Sequence, residues 1–414
     1  MFALKLKLGL IVIAVAIVGV SAEIQAAKSP IVRVKVGETD REFVILPDDN
    51  MQVSCYRKGK LICNYHAYTK LTIRPNSKGL QLEQEGGVLE YGLEKIICTP
   101  RPTGTSISIN GKYYRGQIIV LPDQKPGFIV AVNHVRLENY LKGVVPLEMG
   151  IKLITQEEDK EALNVQAVAA RTYALAKLGQ YPDRPYDLES TVADQVYGGV
   201  KVEEDIISGA VDKTRGEVLT NAGDLVKAYF HANCGGHGEA VEVTWPWKEA
   251  ENYLPASSDS EYCSWAPNYF WAASWDKNQI EKSINEFLES ATKDSTFSCG
   301  SLQDLQIVDQ SRSGRILLLK IVTDQGEWEV KSDSIRWCFR RTSPAGSILP
   351  STKFEIQIEC NSSGVITAVQ FSGFGNGHGV GMCQIGALGR ARAGQTYREI
   401  LAHYYPATEL EKRY

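Results

Sequence analysis

The 414-residue sequence contains no block of five or six basic residues, and 45 Lys and Arg against 49 Asp and Glu leave a net charge of −4. Proteins that track nucleic-acid phosphates normally show a concentrated basic face, so a nucleic-acid partner is not expected. Beyond the first 20 residues no apolar run approaches the roughly 20 residues that a spanning helix needs. There is no internal repeat and no low-complexity tract, which sets aside solenoids and disordered chains. With 36 Gly and 16 Pro the chain is not collagen-like. Globular composition remains, 43% hydrophobic and 23% charged, at a length that suggests two or three domains.

Lys5 and Lys7 precede an uncharged apolar run from Leu8 to Val20, closed by Val20-Ser21-Ala22. A positive start, a short apolar core and a small-residue exit read as a secretory signal peptide over residues 1–22, with an uncleaved anchor as the alternative. The working location is then the periplasm, the cell wall or the extracellular space. No Cys sits near the cleavage point, which argues against a lipoprotein. An oxidising compartment predicts that most of the nine cysteines pair, with one left over. Cys55 and Cys63 are close enough in sequence to close a hairpin.

Periodicity predicts an α+β fold of mainly antiparallel sheets. Residues 29–127 read as a smaller N-terminal β region. Ile31–Val36 alternates apolar and polar residues, and short runs recur at Leu71–Ile73, Val88–Tyr91 and Gly116–Leu121. Asn110-Gly111 between Ser106–Ile109 and Lys112–Tyr114 is a two-residue hairpin signal. Residues 128–414 form the second region, with a short helix expected at Glu138–Leu141. An Ala-rich helix from about Glu158 to Leu178 is apolar around most of its girth and therefore buried. Arg171 in its middle needs a partner. Strands are expected at Trp271–Trp275, Ile316–Val322 and Val365–Phe371, with a helix at Lys277–Leu288.

Three separated segments concentrate the chemistry. The first is Val144-Val145-Pro146-Leu147-Glu148-Met149, continued by Asn164-Val165-Gln166 through Arg171-Thr172-Tyr173. The second is Tyr229-Phe230-His231-Ala232-Asn233-Cys234-Gly235-Gly236-His237. The third is the glycine-rich Gly373–Gly381 stretch holding His378, then Cys383-Gln384 and His403-Tyr404-Tyr405-Pro406. In this order, over about Val132 to Leu410, they closely resemble the stage II sporulation protein D family, also called the LytB domain family.

That resemblance implies an exported peptidoglycan enzyme, a lytic transglycosylase cutting the β-1,4 MurNAc–GlcNAc bond of strands that have lost their stem peptides. The alternative is a second role, since some relatives are described as non-catalytic partners that stimulate a cell-wall amidase. By motif, Glu148 falls on the catalytic acid. Gln166, Arg171, Tyr173, Tyr229, His231, His378 and Gln384 fall on expected substrate-binding positions. Asn164 departs from the family, whose members often carry Lys there. The acidic run Glu157-Glu158-Asp159 reads as a solvated helix start.

Glycosidic cleavage needs a proton delivered to the leaving oxygen, and a carboxyl in an apolar setting can hold one near neutrality. Val144, Val145, Pro146, Leu147 and Met149 supply that setting for Glu148. The plainer reading is an acid in the first turn of a helix, favoured there by the dipole. No cofactor is required, but His231-x-x-Cys234-x-x-His237 with Cys263 has the donor types of a structural zinc site. A Cys234–Cys263 disulfide is the competing reading. A zinc hydrolase using Glu148 as base is the weakest one, because no His-Glu-x-x-His helix is present. The glycines around His378 carry no following Gly-Lys-Ser/Thr, so they read as close backbone approach rather than a phosphate cradle. Tyr229, Trp245, Trp247, Tyr253 and Trp265 supply aromatic faces for sugar rings.

Overall fold

The computed structural model describes residues 28–293, 297–344 and 346–414. Residues 1–22, expected to be a signal peptide, lie outside them, and no helix among the described residues is long and apolar enough to cross a membrane. The architecture is α+β. A seven-stranded sheet runs Leu188–Glu189, Ile31–Thr39, Ile129–Arg136, Gln117–Pro122, Lys95–Arg101, Asn50–Arg57 and Lys60–Ala67. A six-stranded sheet is built from strands between Phe43 and Arg115. Pairing within both is antiparallel, apart from a short parallel contact of Val34 with Leu188. Alternation works as expected in the first strand, where Val32 and Val34 are fully buried while Ile31 is exposed. Asn110 and Gly111 both take positive φ, 48° and 81°, the pair of angles a tight two-residue hairpin requires.

The first sheet continues through residue 127. Strand Ile129–Arg136 pairs with Gln117–Pro122 on one side and Ile31–Thr39 on the other. Its end runs directly into helix α1, Leu137–Met149. One core therefore joins sheet residues such as Val32 and Ile96 to helix residues such as Val144 and Val168. The short helix expected at Glu138–Leu141 is instead a single 13-residue helix that carries Pro146 inside it. Pro146 cannot donate to the carbonyl four residues back, a cost on the order of 3 kcal/mol, which the burial of Val144, Val145 and Met149 outweighs. Gly143 is required by contact: a Cβ there would lie 2.6 Å from the Tyr197 ring.

Helix α2, Asp159–Lys177, matches the expected Ala-rich helix, and every residue from Ala162 to Thr172 is buried. Asp159 does not belong to a solvated helix start. Its side chain is fully buried, accepts the Thr155 and Gln156 amides at 2.8 and 3.0 Å, and meets Arg392 Nε at 2.7 Å. Burial without those partners would be untenable for a carboxylate.

Residues 270–374 form a second unit with its own core of Trp271, Trp275, Ile280, Leu319, Phe339 and Phe371. Two three-stranded antiparallel sheets and helix Lys277–Thr292 enclose it. After it the chain returns to the first core through Val380, Met382 and Ile385. Strand Phe230–His231 pairs in parallel with Met382–Cys383, so the two ends of this insertion are stitched together.

All nine cysteines are free thiols, which corrects the expectation of disulfides. Cys55 and Cys63 face each other in register across their hairpin without a bond. Cys234 and Cys263 sulfurs lie 3.5 Å apart, far beyond the roughly 2.05 Å of an S–S bond.

Candidate active site

Glu148, Tyr173, Tyr229, His231 and His378 line one cavity of about 470 Å³. Segments 148, 231 and 378, far apart in sequence, thus meet in space. Gln166, Arg171 and Gln384 stand behind this surface, and the inserted unit closes the facing wall with Asp333, Arg336, Trp337 and Ile348.

Glu148 lies in the last turn of α1, which ends at Gly150 with φ 68°. The first-turn reading is therefore corrected, and the correction has an electrostatic consequence. The carbonyl end of a helix carries partial negative charge and disfavours a carboxylate. Burial raises the Glu148 pKa above the ordinary glutamate value. The Val196 amide, donating at 2.9 Å, opposes the shift, and the nearby Gln384 side chain pushes the same way. They also aim the carboxyl. Gln384 in turn donates to Gln166 Oε1 at 3.2 Å, so Gln166 acts through Gln384 and Glu148.

Arg171 has no exposed side-chain surface. Its Nε and Nη2 donate to the two Glu138 oxygens at 2.9 and 2.8 Å, and its remaining donors reach the carbonyls of Ala167, Val211 and Glu217. It ties α2 to α1 and to helix α3, Asp205–Lys213, and it does not face the cavity. Tyr173, two residues on, does, and its hydroxyl donates to Asp194 at 2.8 Å. Asn164 is buried against Glu161 and is likewise remote from the cavity lining.

The two histidines differ. His378 Nε2 donates to the Phe230 carbonyl at 3.0 Å and its Nδ1 accepts the Val380 amide at 3.0 Å. Burial first, then Arg336 and Arg315, pushes its pKa down to about 3. With both nitrogens engaged by backbone, His378 is a neutral wall whose ring lies 4.9 Å from Trp245. His231 donates from Nδ1 to the Val380 carbonyl at 3.2 Å, and its buried Nε2 has no partner among the described residues. Burial holds it neutral too.

A ring nitrogen of His231 and the sulfurs of Cys234 and Cys383 lie within 4.8 Å of one another. Cys263 completes the group beside Cys234. Backbone amides point at the sulfurs: Cys234 and Gly386 donate to Cys383 at 3.2 Å each, and Gly236 donates to Cys263 at 3.3 Å. The neighbouring Cys234 and Cys383 groups hold the Cys263 thiol well below the ordinary cysteine range. His231, Cys234 and Cys383 are a soft donor set of the types zinc takes, with Cys263 beside Cys234 as the candidate fourth donor. His237 is not part of it. Its ring is exposed and its backbone bridges to Ser258, while Cys383, 149 residues from Cys234 in sequence, takes that place.

Sequence reading missed the Val196 amide, Asp194, Lys177, Lys248 and the insertion's wall. It also missed Arg315, whose guanidinium donates to the Gly377 and Cys234 carbonyls at 3.2 Å each and so fastens the His378 loop to the cysteine loop. Of the five grouped aromatics, Tyr229 and Trp245 line the cavity. Tyr253 is buried in the first core, and Trp247 is on the surface.

Residues 126–221 match the model of the stage II sporulation protein family, and residues 248–381 match a domain of unknown function. The chain is 29% identical over 385 residues to an uncharacterized protein of Brachyspira hyodysenteriae, covering 93% of this chain and 94% of that one. It is 30% identical over 371 residues to the amidase enhancer of Bacillus subtilis, covering 82% of this chain but only 49% of that relative. It is 27% identical over 304 residues to stage II sporulation protein D of Bacillus subtilis, with 68% of this chain and 76% of the relative covered.

Proposed function

The chain belongs to the stage II sporulation protein D/LytB family, and we propose that it is an exported peptidoglycan lytic transglycosylase acting on glycan strands without stem peptides. Membership supports a cell-wall-related role. The observation that carries the finer reading is a single carboxyl, Glu148, with a raised pKa and an orienting amide hydrogen bond in the wall of an aromatic-lined cleft.

Protonated Glu148 donates to the glycosidic oxygen as the bond to MurNAc C1 breaks and positive charge develops at that carbon. The GlcNAc side leaves with a free 4-hydroxyl. The MurNAc C6 hydroxyl then attacks C1, its proton returns to Glu148, and a 1,6-anhydro ring closes. No water is consumed and one carboxyl suffices. The Val196 amide stabilises the carboxylate between the two steps, and Gln384 keeps it aimed.

A second reading, a wall-binding partner that stimulates an N-acetylmuramoyl-L-alanine amidase, is favoured by the amidase enhancer that matches 82% of this chain. Mass spectrometry of peptide-free glycan after incubation with purified protein separates the two. Anhydro ends are the expected product, reducing ends would indicate a muramidase, and no products would favour the partner role.

His231, Cys234, Cys263 and Cys383 together are proposed to hold a structural zinc, which would cross-link the His231 strand to the returning Cys383 strand. All four are buried, unlike a hydrolytic site that keeps an open position. Elemental analysis is expected to find one zinc per chain, lost in Cys383→Ser and retained in His237→Ala. A Cys234–Cys263 disulfide in metal-free wild-type protein would defeat this assignment.

A further inference from the structure

One of the cations lining the cavity has no ion-pair partner among the described residues. Three long cationic side chains line it, Lys177, Lys248 and Arg336. Lys177 Nζ sits 3.0 Å from Asp194, and Arg336 Nη1 sits 3.2 Å from Asp333. Lys248 makes no ion pair among the described residues. Its Nζ donates to the Tyr229 hydroxyl at 2.7 Å and stands 4.4 Å from the Tyr229 ring centre and 4.1 Å from that of Trp245. Burial lowers its pKa, and the charges of Lys227 and Lys177 push the same way. An ammonium has three donors, so two remain for a ligand. Half-buried and crowded by like charge, this cation is stabilised by an arriving anion far more than an exposed lysine would be.

The surroundings of Lys248 specify the kind of anion. Tyr229 and Trp245 flank it, and the inserted unit offers the exposed face of Trp337 across the cavity, surfaces that suit sugar rings. An anion on a sugar is therefore the matching chemistry. In peptidoglycan each MurNAc bears a lactyl group at O3. With a stem peptide attached that group is a neutral amide; once the peptide is removed it is a carboxylate.

We propose that Lys248 binds the free lactyl carboxylate of a MurNAc residue and is the specificity-determining residue for peptide-free glycan. This rests on the glycan reading of the cleft given above, but not on cleavage itself.

The test uses binding, in a Glu148→Gln background where cleavage does not intervene. Soluble peptide-free strands are compared with the same strands after conversion of their lactyl acids to methylamides. The Glu148→Gln protein is expected to bind the acid form at least about 10-fold more tightly, the scale of one charge-assisted contact. Adding Lys248→Gln should erase that preference by weakening only the acid form, and Lys248→Arg should preserve most of it. Equal affinity for the two forms, a preference that survives Lys248→Gln, or no binding to either form would overturn the proposal. Cleavage by the wild type without an acid preference defeats this inference alone. An acid preference without anhydro products defeats the transglycosylase reading and leaves the inference standing.

Discussion

Glu148→Gln is expected to abolish glycan cleavage, with turnover down at least about 100-fold, while the fold and glycan binding persist. The side chain keeps its shape and its carbonyl oxygen can still accept the Val196 amide that Glu148 accepts at 2.9 Å. What is lost is the proton. An amide can neither deliver one to the glycosidic oxygen nor recover one from the C6 hydroxyl. Residual turnover above a few per cent of wild type, measured by anhydro-end production, would remove Glu148 from the acid role.

The same substitution has a pH signature in stability. Burial raises the Glu148 pKa in the folded chain above its unfolded value of about 4.3. A raised carboxyl favours the fold while protonated, an advantage fully present below the unfolded pKa and lost as pH rises through the folded one. Wild type therefore loses stability relative to Glu148→Gln across that window. The variant should melt higher at neutral pH, and the difference should close under acid. Catalysis follows the same group: kcat/KM should fall as pH rises through the folded pKa, because the acid form disappears.

Legibility in the sequence followed the range of the interaction. Helix α2 was readable because apolar residues run around most of its girth, a local pattern that only burial satisfies. The Asn110-Gly111 hairpin was readable because two adjacent positive φ angles restrict the residue types. The full length of α1 was not readable, because its second half, with Gly143 and Pro146 inside it, is held helical by tertiary packing rather than by local preference. The cysteine cluster misled for a related reason. His237 lies at a ligand-like spacing from Cys234, but the Gly235-Gly236 turn sends it to the surface. The parallel pairing of His231 with Cys383 delivers the nearer sulfur from the far end of the insertion. The wall formed by Arg336 and Trp337 had no sequence signal at all. Its place over Glu148 depends on how a separately cored unit docks, held by contacts such as Lys353 Nζ on the Gly235 carbonyl at 2.9 Å.

Arg171→Ala should destabilise the chain by about 3–5 kcal/mol, the usual consequence of leaving one partner of a buried pair alone. The guanidinium is fully buried and bidentate on Glu138, whose carboxylate also receives the Tyr414 hydroxyl from the C-terminal end. Removing it leaves Glu138 charged and desolvated, and frees the Val211 and Glu217 carbonyls that it now satisfies. A cavity follows as well, at the junction where α1, α2 and α3 meet. Denaturant unfolding of the first core is the measurement. The double variant Arg171→Leu/Glu138→Leu distinguishes charge from packing, since replacing both partners by apolar groups should cost less than Arg171→Ala alone. Because α1 also carries Glu148, the activity lost in Arg171→Ala should return at temperatures well below its lowered midpoint. A midpoint equal to wild type would mean that the Glu138 pair does not hold α2 against α1, and that Arg171 is free to meet substrate.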